Sequence, residues 1–119
     1  MRHILVVEDD ATLAHALRRQ FESVGYEVAL ATSTMAALKV LDSPRDLDVV
    51  LADIVMPSGQ PNGFALGRMA RMKRLGIKVM FITGYDDLGL DDESLPGKIF
   101  YKPLDFGMLV DEIETVLAA

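Results

Sequence analysis

The feature that most constrains this chain is an alternation of two segment types along its whole length. Short apolar runs rich in β-branched residues stand at positions 3–7, 26–30, 47–52, 77–82 and 98–101. Runs without a polar face suit strands buried on both sides, as in a parallel sheet. Between them lie stretches whose apolar residues recur at helical spacing. The repeated β-α order implies an open parallel sheet with helices on both faces and right-handed crossovers, an α/β doubly wound fold.

The helical stretches carry their own punctuation. The first, near residues 10–24, aligns Leu13, Leu17, Phe21 and Val24 on one face with Arg18 and Arg19 turned away, and Gly25 stops it. The second, near 34–41, follows the capping residues Thr32 and Ser33. Asn62 is a candidate N-cap for the third, near 62–75, which Gly76 ends. The last, near 105–117, repeats Phe106, Leu109, Val110, Ile113 and Val116. Residues 85–97 contain Gly89, Pro96 and five acids, which leave room for only a short fourth helix. The pattern uses all 119 residues, so a single domain over 1–119 with no output domain is expected. The first strand at residue 3 leads us to expect a true N-terminus.

Composition narrows the function classes. The absence of cysteine removes disulfides, thiolate metal sites and cysteine nucleophiles, and fits a reducing compartment. No apolar run approaches the roughly 18 residues of a membrane span, and Glu8-Asp9-Asp10 cuts off any signal-peptide core. A cytoplasmic location without membrane contact follows as the expectation. A net charge of −6 argues against direct nucleic-acid binding. The cluster Arg68, Arg71, Lys73 and Arg74 reads as the solvated face of one helix.

In open α/β sheets ligands bind at the carboxyl ends of the strands. Here the first strand ends in Glu8-Asp9-Asp10, the third in Asp53, the fourth in Thr83-Gly84 and the fifth in Lys102-Pro103. Each is ordinary alone: acids after a strand cap the next helix, as Asp10 is expected to do, and Lys-Pro is a common turn. Together they place carboxylates, a hydroxyl and an ammonium on one rim. Gathered carboxylates repel, and a hard cation such as Mg²⁺, which takes oxygen ligands, relieves this. An aspartate can attack phosphorus to give an aspartyl-phosphate. Lys102 and Thr83 then suit the phosphoryl oxygens.

The segments ILVVEDD at 4–10, LADIVMP at 51–57, ITG at 82–84 and YKP at 101–103 resemble the receiver domains of bacterial response regulators, including the single-domain chemotaxis type. The likeness covers essentially the whole chain. It implies a five-stranded sheet of flavodoxin-like order 2-1-3-4-5, with Asp53 accepting a phosphoryl group from the phosphohistidine of a sensor histidine kinase or histidine phosphotransfer protein. It implies that Mg²⁺ is held by Asp9 directly, Glu8 largely through water, Asp53, and the backbone carbonyl of Val55. Thr83 resembles the switch hydroxyl and Lys102 the matching ammonium, with a cis Lys102–Pro103 bond. A partner protein would read the resulting conformational shift. Such a domain is not an enzyme in the ordinary sense, at most catalysing its own phosphorylation and slow dephosphorylation.

Three departures from the family pattern stand out. The usual switch aromatic is replaced by Ile99, with Tyr101 on the same side of the strand two residues on. The loop at 58–63 is two residues longer than usual, as in receivers of the hybrid histidine kinase branch. The fourth helix is short and acidic. Apolar Val55 and bulky Tyr85, each two residues after a site residue, are unsuited to activating water, so slow autodephosphorylation is expected. A phosphorylation-independent interaction module is the alternative reading, and two further rivals lack the residues they need. A phosphatase of the haloacid dehalogenase type would want a second Asp where Val55 stands. A flavodoxin-like cofactor binder would want a phosphate loop where Glu8-Asp9-Asp10 stands.

Overall fold

The computed structural model describes residues 1–57, 61–84 and 97–119. Five strands form one parallel sheet: β1 (His3–Val7), β2 (Glu27–Ala31), β3 (Val49–Asp53), β4 (Lys78–Thr83) and β5 (Ile99–Tyr101). Their order is β2-β1-β3-β4-β5, so the chain reverses direction across the sheet between β1 and β3. Among the described residues the helices are α1 (Ala11–Ser23), α2 (Thr34–Asp42), α3 (Gly63–Lys73) and α4 (Phe106–Ala118). None is long and apolar enough to cross a membrane.

The apolar strands alternate between two cores, one on each face of the sheet. Leu5, Val7, Val50 and Ala52 pack with Ala37 and Leu41 of α2 and with Phe64, Leu66 and Ala70 of α3. Ile4, Val6, Val49 and Leu51 pack with Leu17 and Phe21 of α1 and with Leu109 and Ile113 of α4. Burying each of the larger of these side chains is worth about 1.5–3 kcal/mol, which is why uninterrupted apolar runs select a sheet covered on both sides.

Most of the cap residues read from the sequence act as caps. Asp10 Oδ1 accepts from the backbone N–H groups of Thr12 and Leu13, and Ser33 and Asn62 serve α2 and α3 in the same way, whereas Thr32 is not the cap, and Asp105, expected inside the last helix, caps α4. Gly25 and Gly76 adopt φ of +91° and +81° at the turns that follow α1 and α3, a region open chiefly to glycine. Val24 differs from expectation: it lies past the last turn of α1 and is half exposed rather than in the core. Helix α3 is also shorter than its apolar pattern, because Arg74 turns to an extended backbone at φ −131°.

Strand boundaries shift toward the carboxyl rim. Strands β2, β3 and β4 each run one residue further than their apolar runs, because the parallel ladders pair Val7 with Ala31, Asp53 with Ile82 and Thr83 with Tyr101. Asp53 and Thr83 are therefore the last residues of strands. Residues 85–96 of the expected fourth helix and residues 58–60 of the loop at 58–63 lie outside the described residues.

Candidate functional site

Strand register brings the sequence-distant acids together. Val7 pairs with Ala52 across adjacent strands, so the next residues, Glu8 and Asp53, leave the sheet side by side. The carboxylates of Glu8, Asp9 and Asp53 each offer an oxygen within 4.8 Å of the others. Glu8 and Asp53 are buried, and Asp9 is exposed. From β5, Lys102 reaches across the rim: its Nζ lies 3.1 Å from Asp53 Oδ2 and 3.2 Å from Glu8 Oε1. The Lys102–Pro103 peptide is cis.

The loop after β3 is anchored to the same carboxylate. Val55 N donates to Asp53 Oδ1 at 3.0 Å, and Ile54 N to the carbonyl of Ile82 at 2.9 Å. Gly63 N returns to the carbonyl of Ile54 at 2.9 Å, which seats the start of α3 against the site. A Cβ at position 63 would stand 2.3 Å from the carbonyl oxygen of Asp53, so only glycine permits this approach. This supporting role was not foreseen in the sequence; the Asn62-Gly63 step after a loop was its only signal. Thr83 is fully buried at the end of β4, and Lys102 N donates to its carbonyl at 2.8 Å. Tyr101 is 45% exposed beyond it, whereas Ile99 packs against the core shared with α2 and α3. Tyr85 lies outside the described residues.

The electrostatics are those of a crowded acidic site with one counter-ion. Burial pushes the Glu8 carboxyl up to about 8, and the adjacent Asp53 carboxylate adds to the shift while Lys102 opposes it. Burial alone would pull the Lys102 ammonium down, but Asp53 and Glu8 outweigh it and leave its pKa raised. Glu8 Oε2 is buried and has no hydrogen-bond partner among the described residues. An acceptor without a donor in a nest of carboxylates fits a position for a cation. The donor set is all oxygen, which suits a hard ion such as Mg²⁺ over zinc or copper.

The residues singled out in the sequence, Glu8, Asp9, Asp53, Val55, Thr83 and Lys102, thus all lie at one rim. The additional Lys102–Glu8 contact was not anticipated.

Comparison with known proteins gives a consistent answer. Residues 4–114 match the family model described as the response regulator receiver domain. The response regulator receiver protein CpdR of Brucella abortus (strain 2308) is 34% identical over 122 aligned positions, covering 100% of this chain and 99% of that protein. A CheY-like receiver domain from Methanospirillum hungatei JF-1 superimposes with a TM-score of 0.88 at 26% identity, over 99% of this chain and 94% of the other. The response regulator TrrA of Thermotoga maritima, solved in complex with Mg²⁺-BeF, gives 0.83 at 26% identity over 98% and 99% of the two chains. With its sheet order, its rim of acids and these matches, the chain belongs to the response regulator receiver domain family, the signalling domains of two-component systems.

Proposed function

We propose that this chain accepts a phosphoryl group on Asp53 from the phosphohistidine of a sensor histidine kinase or a histidine phosphotransfer protein. An Asp53 carboxylate oxygen attacks phosphorus; the new P–O bond forms as the P–N bond breaks, and the leaving imidazole takes up a proton. The observation that carries this reading is the buried Asp53 carboxylate held between the acids Glu8 and Asp9 and the Lys102 ammonium. Asp9, Glu8, Asp53 and the Val55 carbonyl are the groups that would hold Mg²⁺, which supplies positive charge for the phosphoryl oxygens when bound. Lys102 neutralises a further phosphoryl oxygen, and Thr83 donates a hydrogen bond to another.

The whole of 1–119 serves as one receiver unit. Signal passes to a partner protein by contact, or the phosphoryl group is handed on. Phosphorylation favours a conformer in which Thr83 and the turns after β4 and β5 close on the phosphoryl group, altering the surface of β5 and α4. The apolar Val55 beside Asp53 is unsuited to activating water, so loss of the phosphoryl group is slow. The absence of a second acid at Val55 sets the chain apart from aspartate-nucleophile phosphatases, which place a general acid there.

Mass spectrometry after incubation with acetyl phosphate, with and without Mg²⁺, tests the reading on wild type and Asp53→Asn. The expected result is a Mg²⁺-dependent gain of one phosphoryl group that Asp53→Asn abolishes. No gain, or a gain surviving Asp53→Asn, would return the chain to a phosphorylation-independent interaction module or to another acceptor.

A further inference from the structure

The basic cluster at Arg68, Arg71, Lys73 and Arg74 divides in the structure. Lys73 Nζ pairs with Asp42 Oδ1 at 2.7 Å. Arg74 spreads its guanidinium over carbonyls at and beyond the C-terminal end of α2, at 3.0 Å from Leu41 O, 2.7 Å from Ser43 O and 2.6 Å from Arg45 O. These two side chains fasten α3 to α2 and are structural. Arg68 and Arg71 are exposed and engage no acid or carbonyl among the described residues.

Beside them stand two large apolar side chains that the fold leaves in water. Met72 is 84% exposed and Leu75 is 98% exposed. Arg68, Arg71 and Met72 share one face of α3 at i, i+3 and i+4, and Leu75 continues from the turn into β4. A cleft of about 360 Å³ opens next to Leu75, with Arg71, Lys78 and Lys98 among its walls. Between Ile54 and Gly84 the chain has five cations and no acid, although its net charge is −6. Arg68 and Arg71 thus set positive charge beside Met72, while Leu75 also borders a hollow that Asp46 and Asp48 line together with Lys73 and Arg74.

We propose that the outer face of α3, with the turn into β4, docks an acidic amphipathic helix of a partner protein. Its carboxylates meet Arg68 and Arg71, and its apolar residues cover Met72 and Leu75, with methionine supplying an adaptable contact. Charge complementarity favours this occupant: like-signed partners are repelled while acidic ones are drawn in. A nucleic acid would need a broad basic surface, whereas here Arg68 and Arg71 flank two apolar side chains that a sugar-phosphate backbone would leave uncovered. The surface lies at the end of α3 remote from Asp53, so this inference does not depend on the acceptor chemistry.

The test is a titration of the isotopically labelled full chain, followed by NMR. The probe is a synthetic helical peptide with Leu at i, i+3, i+4 and i+7 and Glu on its flanks. Its companions are the same peptide with Lys for Glu, a short DNA duplex, and phosphatidylglycerol vesicles. The expected result is binding of the acidic peptide alone, with shifts centred on residues 68–78 and an affinity that falls as salt rises. The double reversal Arg68→Glu/Arg71→Glu should weaken it by about tenfold or more, and Leu75→Ser should weaken it several-fold. Both variants change only exposed side chains, and unaltered circular dichroism will show that they are folded. Absence of binding, shifts centred elsewhere, or an affinity unchanged in both variants overturns the proposal. Binding of the DNA or the vesicles as tightly as the peptide also overturns it, in favour of a general polyanion surface.

Discussion

Lys102 Nζ lies 3.1 Å from Asp53 Oδ2, although the two residues are 49 positions apart, and the same ammonium lies 3.2 Å from Glu8 Oε1. One cation thus ties the ends of β1, β3 and β5 into a single rim. Two buried carboxylates cannot both hold full charge beside each other in a weakly polarisable setting, so the ammonium decides how much negative charge the site bears.

Replacing Lys102 should therefore cost reactivity more than it costs the fold. Lys102→Ala is expected to slow phosphorylation by acetyl phosphate by about 100- to 1000-fold, the usual scale for losing one charge-stabilising group. Lys102→Arg should recover part of the rate. Stopped mass-spectrometric time courses at saturating Mg²⁺ measure both, and wild-type rates in Lys102→Ala would remove the residue from the chemistry.

Glu8 makes the stability of the metal-free protein pH-dependent in an unusual direction. Its carboxyl is raised from 4.5 to about 8, chiefly by burial, so across that window the folded state keeps a proton that the unfolded state has released. Stability is then fully present below pH 4.5 and declines as pH rises to about 8, the reverse of a salt-bridged carboxylate. Urea midpoints taken in EDTA across this range should fall with pH in wild type and flatten in Glu8→Gln. Because a cation at these carboxylates needs Glu8 without its proton, added Mg²⁺ should bind more tightly as pH rises through the same window. A wild-type slope that persists in Glu8→Gln would assign the effect to another group.

The two glycines beside the site should respond differently to an added methyl group. In Gly63→Ala the Cβ meets the Asp53 carbonyl oxygen at 2.3 Å and Ile54 Cα at 2.8 Å, backbone atoms with nowhere to go. We expect a loss of about 1–3 kcal/mol from overpacking, together with slower phosphorylation as Asp53 is displaced. In Gly84→Ala the nearest atom among the described residues is Lys102 Cδ at 4.0 Å, and stability should change less than in Gly63→Ala. Chemical denaturation of the pair, with phosphorylation rates, checks the contrast.

Thr83→Ala separates accepting the phosphoryl group from responding to it. Thr83 is fully buried at the end of β4 and pairs in register with Tyr101. The variant should still gain one Mg²⁺-dependent phosphoryl group, with a stability cost of about 1 kcal/mol from the missing hydroxyl. Amide shift changes over residues 97–119 on phosphorylation should shrink markedly. If they match wild type, the hydroxyl does not carry the response.

The sequence by itself determined the layer architecture and the members of the site. Uninterrupted apolar strands must be covered on both faces, and the polar residue closing each strand falls on the carboxyl rim of the sheet; that is why the convergence of Glu8, Asp53, Thr83 and Lys102 was legible without coordinates. Caps such as Asp10 and Asn62 were legible because a side chain bonding two or three residues ahead is a local event. Tertiary structure alone decided the rest. The extra residue at the ends of β2, β3 and β4 comes from parallel ladders formed with partners far along the chain. The Lys102–Glu8 contact, the Gly63 approach to the Asp53 carbonyl and the raised Glu8 carboxyl depend on distances and burial across strands. So does the division of the basic cluster, since Lys73 and Arg74 differ from Arg68 and Arg71 only in facing α2. Composition and spacing report which side chains a segment carries; only packing fixes which of them lose water and which remain free to meet a partner.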